Sequence, residues 1–351
     1  MTSRERLILS FLCEKTDRVA VSPQTLGRLN LSDPLTELLI KETDPTIYAG
    51  DACDVFIGAA VARSVRAEGS KTFVHYQMAG RELVRVIQRT AKTTATVAFP
   101  CQTALDVEMV LSSRYDPPAD EHLDSACQQF TWWKDVIGEE GLVLWGLPNA
   151  VCFPAEWLSP ENFCLLWADE PDLIKEMVKV ANERLLQFAD RLCQRGVDAF
   201  RIIGGEYVSV QLGPDAFRQL VVPYDSQLVS LIRSYGAIAY YHIHGPIMRY
   251  LPMLKAIGMN AIDPLEAPPW GDADLTYVRA QLGDQICLVG NLDDMMVLDQ
   301  WSEDQVLELG RRRIEEGGPR GFVLSGTASG TYGRRAAENF IALARMVRET
   351  I

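Results

Sequence analysis

Short runs of β-branched and other apolar residues alternate with stretches of helical period along most of this chain, and that alternation restricts the fold more than any other feature. The pattern predicts strands at Leu142–Leu147, Ala199–Ile203, Ala237–His242, Met259–Ile262, Ile286–Gly290 and Gly321–Leu324. Weaker candidates are Arg18–Val21, Thr72–Tyr76 and Thr94–Phe99. Helices are expected over Pro171–Gly196, Pro214–Ser234, Pro246–Gly258, Asp272–Leu282, Ser302–Gly317 and Ala336–Thr350. Strands separated by one helix pair in parallel through right-handed crossovers, and this number at this length favours a closed barrel over a doubly wound sheet. No Gly-x-Gly-x-x-Gly follows the first strand, so a dinucleotide fold lacks its phosphate loop. The expected fold is an α/β (β/α)8 TIM barrel, one domain over residues 1–351 with an N-terminal helical extension. Residues 115–130 show no strand signal and are expected to elaborate the barrel mouth.

Composition narrows the partners. With 351 residues, 48% of them hydrophobic, the chain can bury a large core. A formal net charge of −13 argues against nucleic acid and anionic membranes, which need clustered Lys and Arg. No apolar run approaches the roughly 18 residues of a membrane-spanning helix. The apolar run from Leu7 to Cys13 is interrupted by Ser10 and followed at once by charges, so the start reads as an amphipathic helix and not as a leader. The eight cysteines (13, 53, 101, 127, 152, 164, 193 and 287) include no Cys-x-x-Cys pair and read as small buried hydrophobes. A cytoplasmic protein with a small-molecule substrate is expected, and a homodimer is compatible with this.

In a barrel the chemistry sits at the C-terminal ends of the strands. Those ends carry Trp145-Gly146, Gly204-Gly205-Glu206, His242-Ile243-His244-Gly245, Asp263-Pro264-Leu265-Glu266, Gly290-Asn291-Leu292-Asp293 and Ser325-Gly326-Thr327. His242 and His244, half of all the histidines, share one face of a strand, about 6–7 Å apart. Two readings follow. In one, the imidazoles and Glu206 hold a metal with an open position, as catalytic zinc sites do. In the other, one histidine is a satisfied core residue and the other faces substrate without metal. Glu206 can also serve as general base or pair with Arg201. Asp263, Glu266 and Asn291 are candidate substrate contacts, and Trp145, Tyr207 and Tyr332 candidate walls of an apolar pocket. No Gly-x-Ser-x-Gly elbow is present.

The order of these motifs resembles the uroporphyrinogen decarboxylase superfamily, which includes zinc-dependent, corrinoid-linked methyltransferases. The resemblance rests on Ser3-Arg4-Glu5-Arg6 with Asp17-Arg18-Val19, the segment from Gly196-Val197-Asp198-Ala199-Phe200 to Glu206, and Tyr241-His242-Ile243-His244-Gly245. It continues through Asp263-Pro264-Leu265-Glu266 with Gly271-Asp272-Ala273-Asp274-Leu275, then Gly290-Asn291-Leu292-Asp293, and Glu338-Asn339. Two departures stand out. Gln24, Gly27 and Arg28 match only part of the Arg-Gln-Ala-Gly-Arg motif with which the decarboxylases bind the acidic porphyrinogen. His244 replaces the first thiolate of the methyltransferases' His-x-Cys, and the second falls in Ser325-Gly326-Thr327-Ala328-Ser329, which has no cysteine.

The resemblance implies methyl transfer between a small methylated compound (a methyl ether or a thiol) and a corrinoid. Zinc would be held by His242, His244 and Glu206, and Arg28 would stand among the substrate contacts. With no Asp-x-His-x-x-Gly segment, the cobalamin must come on a partner corrinoid protein. The rival enzyme is a metal-free decarboxylase, a carboxy-lyase acting on another carboxylated substrate through Arg28, Arg201 and the histidines. A metal-dependent hydrolase would need further histidines after His244, and there are none. A binding module that keeps the barrel without catalysis is the non-enzyme alternative.

Overall fold

The computed structural model describes residues 1–78, 80–91, 93–327 and 330–349. Its strands are β1 (Ala20–Ser22), β2 (Thr46–Ala49), β3 (Ala62–Glu68), β4 (Lys71–Met78), β5 (Arg81–Arg89), β6 (Thr94–Ala98), β7 (Leu142–Pro148), β8 (Ala199–Ile203), β9 (Ile238–His242), β10 (Ala261–Asp263), β11 (Cys287–Leu292) and β12 (Phe322–Gly326). Eight run parallel in the order β1-β12-β11-β10-β9-β8-β7-β2. The ring closes where Gln24 bridges Thr46, with Thr25 N–H donating to the Thr46 carbonyl at 2.7 Å and Thr46 N–H to that of Pro23 at 3.1 Å. This is the expected (β/α)8 barrel.

Period-2 alternation sorts each strand into an inward and an outward set. Leu142, Leu144, Ala199, Ile238, Tyr240, Ala261, Cys287, Val289 and Val323 form an inner core distinct from the larger one beneath the helices. The first helix, Ser3–Phe11, lays Leu7 and Phe11 against that inner core, with the Phe11 and Tyr240 rings 5.4 Å apart, and so plugs the N-terminal end. Two residues farther along the strands the inward set turns polar, with Arg201, His242, Asp263, Asn291 and Ser325. The register pairs Asp263 with His242 and Asn291 with Ser325. Burying polar groups costs free energy unless they are paired, so this layer marks where the barrel stops being core and becomes site.

Three expectations are corrected. Thr72–Tyr76 and Thr94–Phe99 are not barrel strands. They fall in β4 and β6 of a separate antiparallel sheet, β3-β4-β5-β6. Two-residue connections after β3 and β4 leave no length for a crossover helix, so these strands pair as hairpins. The missing barrel strand is β2, too short to show a period. Residues 115–130 do not roof the mouth either. They lead into the helix Asp120–Ile137, which packs on β2 and β7. The antiparallel sheet packs on the short helix Cys152–Trp157 that follows β7: Tyr76 meets Trp157 at 4.8 Å between ring centroids and Arg85 Nη2 donates to the Glu156 carbonyl at 3.0 Å.

The helices follow the sequence signals closely. Ser302 caps the helix Glu303–Gly317 in a capping box with Gln305, as its hydroxyl and the following acidic turn require. The Pro214–Ser234 stretch breaks at Val221 into Pro214–Leu220 and Val222–Ser234, because Pro223 cannot donate within a continuing helix. Arg334–Glu349 matches the last expected helix, whose final residue, Thr350, lies outside the described residues. No helix among the described residues is long and apolar enough to cross a membrane.

Candidate active site

The polar layer is organised around two histidine–carboxylate pairs. His242 Nδ1 donates to Asp263 Oδ1 at 2.9 Å, and the other oxygen, Oδ2, accepts from Gln24 Nε2 at 2.9 Å. Asp263 is fully buried and His242 nearly so. Burial pushes the His242 imidazole below its ordinary value, against the pull of Asp263. Burial opposes ionisation of Asp263, yet His242, Arg201 and Gln24 together hold its carboxyl below the usual range. The resulting state is a neutral imidazole whose Nε2 is an open acceptor, fixed in one tautomer by an ionised partner.

The second pair is more open. His244 Nδ1 meets Glu266 Oε1 at 3.0 Å, while Oε2 accepts the Gly245 N–H at 2.8 Å. The hydrogen bond to Glu266 raises the His244 pKa in spite of burial, and Glu266, although partly buried, is held low by His244 and Gly245. The rings of His242 and His244 stand perpendicular, 4.4 Å between centroids. Neighbouring imidazoles of opposite preference, one biased toward the neutral form and one toward the protonated form, offer the mouth both a base and an acid. A nitrogen-detected titration should place the His244 midpoint above 6.5, and Glu266→Gln should drop it to or below that value. The pair's contribution to stability is fully present below about pH 6.5 and is lost as pH rises through the His244 midpoint. An unmoved midpoint in Glu266→Gln would remove Glu266 as the cause.

Glu206 arrives by a different route. Gly204 and Gly205 turn the chain at the end of β8 into the short helix Glu206–Ser209. A Cβ on Gly204 would lie 2.4 Å from Asn149 Oδ1, and one on Gly205 2.8 Å from the Tyr241 hydroxyl, so only glycine passes here. Asn149 and Tyr241 are themselves fastened to Asp225, at 3.0 and 2.5 Å. Burial raises the Asp225 carboxyl to about 7, against both of those hydrogen bonds. Glu206 Oε2 is buried without a hydrogen-bond partner.

The expected metal set of His242, His244 and Glu206 is not assembled. Among the described residues no three His, Cys, Asp or Glu side chains group as ligands for an ion. The carboxylates that contact the two imidazoles, Asp263 and Glu266, are occupied in orienting Nδ1 atoms and do not stand as a third donor. The donor set therefore does not fit a zinc ion, and no step is derived through one. Ala328 and Ser329, part of the segment where the second thiolate would fall, lie outside the described residues.

Of the other expected site residues, Asp263 and Glu266 join the histidines. Asn291 is inward and buried, its Nδ2 donating to the Leu265 carbonyl at 2.9 Å and its Oδ1 left without a partner. Tyr207, on the short helix Glu206–Ser209, and Arg28, in the turn after β1, are exposed. Trp145 and Tyr332 do not line the mouth. Trp145 points outward from β7 onto Phe130, because its neighbour Leu144 takes the inward place. Tyr332 is buried against Phe340 with its hydroxyl donating to the Thr25 carbonyl.

Sequence reasoning missed the part played by Gln24, which reaches Asp263 from just beyond β1 across 239 positions. It also missed Glu156, Asp51 and Asp54, which with Tyr76, Arg85 and Trp157 line a cavity of about 160 Å³ between the barrel and the antiparallel sheet. Only the placing of that sheet brings them together, so no local signal marks them.

Comparison with known proteins agrees with this architecture. The curated "Methylcobamide:CoM methyltransferase MtaA" of Methanosarcina barkeri is 21% identical over 184 residues, about half the length of each chain (52%). A solved methyltransferase from Methanosarcina mazei superposes with a TM-score of 0.69 at 14% identity, covering 100% of this chain and 99% of that one, which establishes a shared fold. The family model described as uroporphyrinogen decarboxylase (URO-D) matches residues 158–350, more than half of the chain and all of the strands that carry the two histidine pairs. The chain belongs to the uroporphyrinogen decarboxylase family.

Proposed function

We propose that this protein is a methyltransferase, moving a methyl group between a small methylated compound, an ether or a thiol, and a corrinoid held by a partner protein. The observation that carries the reading is the pair of imidazoles at the barrel mouth, 4.4 Å between ring centroids and each oriented at Nδ1 by its own carboxylate. The curated relative, whose name describes methyl transfer between a methylcobamide and CoM, supports the reaction class. The corrinoid supplies the carrier for the methyl group, and this chain's residues manage the proton. When a thiol is the acceptor, His242 Nε2 takes the S–H proton as the methyl group parts from its carrier and the new S–C bond forms. When a methyl ether is the donor, its C–O bond breaks, the methyl group passes to the carrier and the leaving oxygen receives a proton from His244. Asp263 and Glu266 orient the two rings, and Asn291, Tyr207 and Arg28 contact the substrate. The cytoplasmic setting belongs to the same proposal.

A carboxy-lyase acting on a polycarboxylate has less support. The carboxylates beside the two histidines, Asp263, Glu266 and Glu206, oppose the binding of such a substrate. Arg201 is stacked on Tyr48 at 4.3 Å inside the barrel, and Arg28 stands exposed. The test uses free methylcobalamin with a panel of small thiols, followed by loss of the methylated absorbance. Thiol-dependent demethylation that disappears in His242→Ala is expected. A folded protein that demethylates nothing, with or without added zinc, and yet releases carbon dioxide from a carboxylated compound would overturn the reading.

A further inference from the structure

Hydrogen bonding in the polar layer leaves a surplus of acceptors. Asn291, 6% exposed, donates through Nδ2 to the Leu265 carbonyl at 2.9 Å. Gln24, 1% exposed, donates through Nε2 to Asp263 Oδ2 at 2.9 Å, with the Gly326 carbonyl 3.5 Å away. Both amide nitrogens face groups that can only accept, which fixes the orientation of each amide. Their oxygens, Asn291 Oδ1 and Gln24 Oε1, are buried with no donor, and so is Glu206 Oε2. These residues stand in β11, just beyond β1 and just beyond β8, all at the C-terminal end of the barrel. A buried acceptor left unmatched costs free energy, and three at one end of the ring call for donors from a ligand. Hydroxyls donate as readily as they accept, so Tyr48 and Tyr240, deeper in the barrel, set no such preference.

Charge points the same way. Asp263, Glu266 and Glu206 place three carboxylates around the two histidines, and Glu206 lies within electrostatic reach of both His244 and Arg201. Two cations answer them: Arg201, buried and stacked on Tyr48, and His244, biased toward its protonated form by Glu266. One negative charge is left over, and loss of the His244 proton deepens the deficit. Arg28 does not fill it, because it is exposed and stands outside this buried layer. Unbalanced charge away from bulk water is costly, and a bound counter-ion relieves it.

We infer that the small substrate of this site carries a protonated primary or secondary amine, held by the free oxygens of Asn291, Gln24 and Glu206. An ammonium brings N–H donors and one positive charge together, and the layer lacks both. A quaternary ammonium would bring the charge without the donors, and a sulfonate would bring neither. The inference rests on the proposed methyl transfer for the reactive end of the ligand: where the acceptor is a thiol, it is an aminothiol.

Three two-carbon thiols that differ only in the head group test it: 2-aminoethanethiol, 2-mercaptoethanol and 2-mercaptoethanesulfonate. Each is titrated into the full chain by calorimetry, under reductant and at about pH 7, where the amine is protonated. The aminothiol is expected to bind about tenfold or more tightly than either of the others. Equal affinity across the three, or a preference for the sulfonate, overturns the inference. Glu206→Gln keeps the shape and removes the charge, and should take away most of the aminothiol's advantage over mercaptoethanol. Asn291→Ala should also reduce it. An advantage unchanged in both variants, each with the far-ultraviolet circular dichroism of wild type, places the amine elsewhere and overturns the assignment. Binding is read without turnover, so the two readings fail separately. Amine-selective binding with no demethylation of methylcobalamin by any of the three thiols retires methyl transfer and keeps the amine site.

Discussion

Asp263→Asn is expected to lower turnover by about 10² to 10⁴ while leaving KM nearly unchanged. The substitution preserves volume, and its effect lies in hydrogen bonding. Asp263 accepts from His242 on one oxygen and from Gln24 on the other, and both donors depend on its being acceptor-only. An asparagine has a single acceptor oxygen. If that oxygen keeps Gln24, the amide NH2 faces His242 Nδ1 and forces the proton to Nε2, the atom that must be free to receive one. If it keeps His242 instead, two NH2 groups meet at Gln24, in a buried place with no water to separate them. Asp263 acts through His242, so the deciding measurement is spectroscopic. Nitrogen chemical shifts of His242 should change from the Nδ1–H to the Nε2–H tautomer in the variant. A tautomer unchanged together with activity within about threefold of wild type, too small for loss of a positioned base, would remove this pair from the mechanism.

Much of this arrangement was legible in the sequence, and the reason is local. His242 and His244 are two apart on a strand, so period 2 alone puts them on one face. Asp263 and Glu266 follow the next strand at the same end, and parallel pairing makes them neighbours. The strands that could be read, β7 to β12, are five or six apolar residues long or are framed by clear helices. β2 could not be read, because four residues from Thr46 to Ala49 are too few for a period, and the ring lacked a member until the structure supplied it. The hairpin strands were half seen because strand propensity does not say which sheet a strand joins. Gln24 and the acidic cavity beneath the antiparallel sheet depend on contacts between distant segments, which periodicity cannot report. Trp145 and Tyr332 misled for the opposite reason: each adjoins a strand end in sequence, but parity on β7 and packing on the last helix turn them away from the mouth.

The seam where that unreadable strand closes the ring carries the largest expected stability effect. β1 and β2 are joined at the mouth by the Gln24–Thr46 bridge, and at the other end by Asp44. Asp44 is completely buried and accepts from Arg6 Nη1 at 2.5 Å, from Arg18 at 2.6 and 3.0 Å, and from the Val21 N–H at 2.9 Å, while its own N–H donates to the Val21 carbonyl at 2.8 Å. Arg6 and Arg18 are themselves less than a tenth exposed. Asp44→Ala leaves two buried guanidiniums, with the half-exposed Asp17 answering only Arg6. Stranding a buried charge costs about 3–5 kcal/mol, far more than the net worth of an intact pair, so the loss should appear in full as a lower urea midpoint. The same logic sets the control. Arg18→Met combined with Asp44→Leu removes the carboxylate together with the cation that Asp17 does not answer, and should recover part of the deficit, because what destabilises Asp44→Ala is the unpaired cation and not the missing bond. If the double variant is less stable than wild type by the sum of the two separate losses, the clasp works through packing, and its charges are incidental to closing the barrel.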